Sequence, residues 1–144
     1  MPEFRLLSVV HTALLSDQQI LLLRRCNTGH DDGFYGLPSG RLDGGEQLDE
    51  AAARELQEEC GAAVHLKDLK MLGVMHIKTT DDERVDFFFT ANRWQGEIVN
   101  AEPDKCDDLR WFPINHLPGN MIPFVKQALE HYREGVWFSS HGWE

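Results

Sequence analysis

The chain is short of positive charge, cysteine and long apolar runs, and each shortage narrows the reading. Its 144 residues carry 14 Lys and Arg against 24 Asp and Glu, a formal net charge of -10. Sequence-independent binding to a nucleic-acid backbone relies on Lys and Arg neutralising phosphates, so no nucleic-acid polymer is expected as a partner. Small phosphorylated ligands stay open, because a bound cation reverses the local field. Only three cysteines occur, Cys26, Cys60 and Cys106, with no Cys-x-x-Cys pair. That excludes a disulfide framework and a zinc site, and leaves reduced thiols. No segment has the length of a membrane span or the apolar core of a signal peptide, so the expected location is cytoplasmic, with no membrane partner. Repeats and low-complexity stretches are also missing. Length and an ordinary 42% hydrophobic content predict one domain over 1–144 with a single core, as monomer or homodimer.

What the chain does have is a glycine loop set against a helix crowded with acids, from Gly40 to Ala62. Good helix formers follow Gln47, with a narrow apolar stripe at Leu48, Ala52 and Leu56, and Gly61 supplies a left-handed stop after Cys60. On this helix Glu55, Glu58 and Glu59 stand at i, i+3 and i+4, neighbours on one face. Three uncompensated carboxylates repel one another. A hard divalent cation, which takes oxygen ligands and shares them with substrate phosphates, turns that repulsion into binding.

The order Gly40, Glu46, Arg54-Glu55-Leu56, Glu58-Glu59, Gly61 resembles the Nudix box of the Nudix hydrolases at every charged and glycine position. Two positions depart from the usual pattern: Ala62 replaces a bulky aliphatic, and Ser39 stands where many members have glycine. The resemblance implies a Nudix fold, an α+β (α/β/α) sandwich with a mixed sheet between helices. It also implies Mg2+ as cofactor, with Mn2+ as the alternative. By resemblance Glu58 and Glu59 are metal ligands, Glu55 ligates metal or helps activate water, and the Ser39 carbonyl adds an oxygen. Arg54 is read as orienting these carboxylates through Glu46.

Around the box, Phe4 to Leu15 and Ile20 to Leu23 read as strands separated by a turn, and Cys26 to Gly36 as an exposed loop. Leu66 to Lys78 and Arg84 to Trp94 read as an antiparallel pair, with Phe87, Phe88 and Phe89 in the core. After a polar loop from Asn100 to Asp108 come a short strand, Leu109 to Phe112, and a helix carrying Phe124, Val125, Ala128, Leu129 and Tyr132.

Glu102 is the candidate fourth carboxylate, set against the alternative of a merely solvated acidic loop. The run Glu102-Pro103-Asp104-Lys105-Cys106 before Trp111 is similar to that of MutT-type nucleoside triphosphate diphosphatases, which moves the expectation towards nucleotides. Arg24 and Arg25 are candidate phosphate ligands, since a guanidinium suits a phosphate bidentately; the alternative is a strand end paired with surface acids. In MutT-type enzymes an Asn after a Leu-Pro turn reads the purine, which makes Asn120 a candidate, against the alternative that it caps the next helix. Tyr35 or Phe34, or Trp137 and Trp143 in the tail, are candidates to stack on a base. The implied activity is hydrolysis of nucleoside triphosphates, oxidised purine nucleotides among them, to monophosphate and pyrophosphate. The alternatives are another nucleoside diphosphate-X (ADP-ribose, a nucleotide sugar, a dinucleoside polyphosphate or an RNA 5' end), or a non-catalytic nucleotide sensor.

Overall fold

The computed structural model describes residues 2–143. The apolar run near the N-terminus forms strand β1, Leu7–Ser16, and turns through Asp17 and Gln18, both at positive φ (49° and 62°), into β2, Gln19–Arg25. Two left-handed residues match the twist of a tight hairpin. The box is entered through two short strands, β3 (Tyr35–Gly36) and β4 (Ser39–Arg41), and then forms helix α1, Leu48–Cys60. Next come β5 (Lys70–Lys78), β6 (Glu83–Ala91), β7 (Cys106–Pro113), helix α2 (Pro123–Arg133) and β8 (Phe138–His141).

The sheet is mixed, in the order β3-β2-β1-β6-β5-β8, with β4 also on β1 and β7 on β2. β1 is the pivot. One edge runs parallel to β6 from Leu7↔Arg84 to Leu14↔Ala91, while the other is divided between β4 (Val9↔Arg41 to His11↔Ser39) and β2. That fork brings the box against the middle of the sheet.

Consecutive strand residues point to opposite faces, and both faces are covered. Ala13, Leu22, Met75 and Phe88 pack with Val125 and Leu129 of α2. Their neighbours Leu14, Leu21 and Phe89 pack on the other side, with Ala51, Ala52, Leu56 and Cys60 of α1. The alanines let α1 lie close to the strands, and truncating the fully buried Leu56 is expected to cost about 2–5 kcal/mol. The chain thus adopts the expected α+β sandwich.

Several elements differ from the sequence expectation. β7 starts at Cys106, within the segment read as a polar loop, because Asp108 and Arg110 pair on the solvent side of an edge strand. The tail, for which the sequence expectation has no strand, supplies β8 parallel to β5. Four residues are too few to show a period. No helix among the described residues is long and apolar enough to cross a membrane.

Candidate active site

α1 is set by its ends. The Gln47 N–H donates to the Glu50 carboxylate at 2.8 Å, and at the other end Gly61, at φ 76°, donates to the Gln57 carbonyl at 3.1 Å. With α1 packed on β4, Glu59 points back under the entering strand. There both its oxygens accept from the Ser39 N–H, at 3.1 and 3.3 Å. One turn earlier the Glu55 carboxylate lies against Gly40, next to Ser39, so the Glu55 and Glu59 carboxyl groups are neighbours. Gly40 makes this possible, since a Cβ there would overlap the Glu55 carboxylate.

Each of two neighbouring carboxylates disfavours the charge on the other. Burial, and then the charge of Glu55, push Glu59 well above the ordinary carboxylate range; burial also raises Glu55, against the opposing pull of Arg54. Arg54 is the hub on the other side. Its guanidinium donates to Glu46 at 2.7 Å, to Glu55 at 2.9 Å and to Glu58 at 3.3 Å. The Glu46 bond is the main cause that raises Arg54 and lowers Glu46 from their ordinary values. The three box acids therefore do not form one symmetrical face: Glu55 and Glu59 turn towards Gly40 and Ser39, while Glu58 lies half exposed against Arg54.

Glu102 is brought to this site by backbone. The Ala101 N–H donates to the Glu59 carbonyl at 3.2 Å, and the Glu102 carbonyl closes a turn by accepting from Lys105 and Cys106. Its charge contributes to the upward push on Glu59.

Among the described residues no group of three acids, His or Cys is already gathered around one point. The donors nevertheless fit a hard cation. All are oxygens, and a divalent ion would neutralise the negative charge that burial makes costly at Glu55 and Glu59.

The candidates for substrate contact separate. Arg24 donates to Asp107 at 2.7 Å and is engaged as a strand-end ion pair. Arg25 holds the His30 carbonyl at 2.9 Å through Nε, and its other N–H groups have no protein partner among the described residues. Tyr35 corrects the expectation of a stacking aromatic. It is 2% exposed, its ring meets Phe112 edge to face at 5.0 Å, and its hydroxyl donates to Asp108 and accepts from Arg110. No free ring face remains, because β3 draws Tyr35 into the sheet beside β2. Phe34, next to it, is exposed.

The alternative role for Asn120 is also overturned. The residue before α2 is Ile122, followed by Pro123, so Asn120 is not its cap. Its side-chain amide instead donates to the Gly33 carbonyl at 2.8 Å, tying the Cys26 to Phe34 loop in place. Its amide oxygen has no protein partner among the described residues.

A buried polar chain went unnoticed in the sequence. Asp86 accepts from Arg84 at 2.9 Å and pairs with His11 Nε2 at 2.8 Å, and His11 is the β1 residue opposite Ser39. An aspartate inside Val85-Asp86-Phe87-Phe88-Phe89 was the available signal.

Comparison with known proteins agrees with this geometry. The family model described as NUDIX domain matches residues 5–133. A Bacillus subtilis (strain 168) protein named "Putative 8-oxo-dGTP diphosphatase" is 34% identical over 125 residues, covering 85% of this chain and 76% of its own. The ADP-ribose pyrophosphatase of Methanocaldococcus jannaschii is 32% identical over 104 residues, 71% of this chain and 59% of that protein. The crystal structure of a MutT NUDIX hydrolase from Burkholderia pseudomallei superposes with a TM-score of 0.81 at 30% identity, covering 88% of this chain and 98% of that one.

Proposed function

The chain belongs to the Nudix hydrolase family, and from that premise we propose that it is a Mg2+-dependent nucleoside triphosphate pyrophosphohydrolase, with oxidised purine nucleotides among its substrates. The observation that carries the chemistry is the gathering of Glu59 and Glu55 at the Ser39–Gly40 backbone, with Arg54 alongside. It supports a site built to take a cation. The nucleotide preference draws on the Bacillus subtilis relative.

Glu55, Glu58, Glu59, Glu102 and the Ser39 carbonyl would hold the cation. When bound, it neutralises polyphosphate oxygens and lowers the pKa of water. The chain's own residues do the rest. Water attacks a phosphorus of the triphosphate, the bridging P–O bond breaks, and monophosphate and pyrophosphate leave; a carboxylate of the Glu55 and Glu59 pair takes the proton of the attacking water. Arg54 keeps Glu55 in place, Arg25 offers its unpaired N–H groups to phosphate, and Asn120 offers an amide oxygen to the base edge.

The Methanocaldococcus jannaschii relative supports a second reading, hydrolysis of ADP-ribose. Incubation with Mg2+ and a panel of nucleoside triphosphates, ADP-ribose, sugar nucleotides and capped RNA separates the two by product mass. Pyrophosphate and monophosphate from triphosphates are expected. Turnover confined to ADP-ribose would sink the first reading, and nucleotide binding without turnover would favour a sensor.

A further inference from the structure

Resting on the metal reading above, we propose that Arg54 is the resident counter-ion of the carboxylate cluster, that a divalent cation binds in competition with it, and that Glu46 is the seat that draws Arg54 back.

The guanidinium is divided between two tasks. Its Nε and Nη2 face Glu46, at 3.1 and 2.7 Å, in a forked pair. Its Nη1 faces the opposite way and lies 2.9 Å from Glu55 and 3.3 Å from Glu58. Glu46 precedes the helix and has no hydrogen bond to Glu55 or Glu59; among the described residues its side chain is partnered by Arg54. Glu55 and Glu58 are two of the acids proposed to hold the cation. One positive group therefore already occupies charge that an incoming cation needs, which accounts for Glu58 lying against Arg54 instead of joining Glu55 and Glu59.

The opposing account is that Arg54 only aligns the carboxylates. The two accounts give opposite signs for the affinity of the cation. If Arg54 only aligns, removing it loosens the ligands and weakens cation binding. If it competes, removing it takes away a like charge from the first turn of contacts and strengthens binding. Glu46 then has a reversed effect. Without its pull, the full guanidinium charge falls on Glu55 and Glu58, and the cation binds more weakly although Glu46 is no ligand.

The test is calorimetric titration of Mn2+ into wild type, Arg54→Gln, Glu46→Gln and the double variant, in low salt without nucleotide, with circular dichroism as the check on folding. Arg54→Gln should bind Mn2+ about three- to tenfold more tightly than wild type, Glu46→Gln weaker by a similar factor, and the double variant like Arg54→Gln alone. Equal or weaker binding by folded Arg54→Gln overturns the proposal. Should that variant fail to fold, Glu46→Gln decides: an unchanged or tighter Kd overturns it. If neither wild type nor Arg54→Gln binds Mn2+, the metal reading itself falls and this proposal with it. Binding by Arg54→Gln and not by wild type is the expected result in its strongest form.

Discussion

His11 and Asp86 meet inside the protein, 75 residues apart in the chain, with the imidazole Nε2 2.8 Å from a carboxylate oxygen and the residues 4% and 0% exposed. The parallel register of β1 with β6 brings them together, and Arg84 holds the other carboxylate oxygen at 2.9 Å. The His11 ring stacks on Phe88 at 4.5 Å, and Arg84 lies over Phe124 at the start of α2. A polar chain thus crosses the apolar layer between sheet and helix, next to the strand that presents Ser39 to Glu59.

Asp86→Ala leaves the partly buried Arg84 guanidinium without its carboxylate and removes the partner of the buried His11. Urea unfolding should show a loss of about 3–5 kcal/mol. A loss below 1 kcal/mol would mean that the chain of contacts contributes nothing.

Gly40→Ala puts a methyl group where the Glu55 carboxylate lies. Gly40 keeps its place in β4 and the flexible end of the Glu55 side chain gives way, so melting should change little, while displacement of Glu55 by an ångström or so should lower kcat about 100-fold. Full turnover in Gly40→Ala, measured at saturating Mg2+ and triphosphate, would refute the role of Glu55.

Glu59→Gln tests the cost of burying the Glu59 charge. Because the folded protein holds Glu59 above its unfolded value, the metal-free folded state binds more protons, and stability falls as pH rises from the ordinary value of 4.5 through the raised one. Glu59→Gln, neutral throughout, should melt higher than wild type at neutral pH without metal and show a flatter pH dependence. Its turnover should drop about 1000-fold, as should that of Glu58→Gln. A melting point below wild type at every pH would contradict the buried charge.

Asn120→Ala removes the bond to Gly33 and the free amide oxygen. Since Asn120 is no helix cap, stability should fall by only about 1 kcal/mol. The ratio of kcat/KM between guanine and other triphosphates should change about tenfold. An unchanged ratio would remove Asn120 from base recognition.

The acidic face of α1, its start at Gln47 and its stop at Gly61 were legible in the sequence because each is a contact within one or two turns. The same holds for the hairpin at Asp17 and Gln18, and for Arg54 with Glu46, eight residues apart. Spacing places Glu55, Glu58 and Glu59 on one face and Arg54 four residues before Glu58, but does not say which partner Glu58 takes. Ser39 is under Glu59 only because β4 lies along β1; Tyr35 is lost to the core only because β3 pairs with β2. Asp86 is harmless in an apolar strand because the register of β1 with β6 places His11 on one of its oxygens, while Arg84, two residues back on the same strand, takes the other. What the sequence by itself determined is therefore the class of chemistry, since helical period, caps and charge are local. The tertiary structure decided which side chains stay free for substrate, since that depends on strand partners chosen across the whole chain.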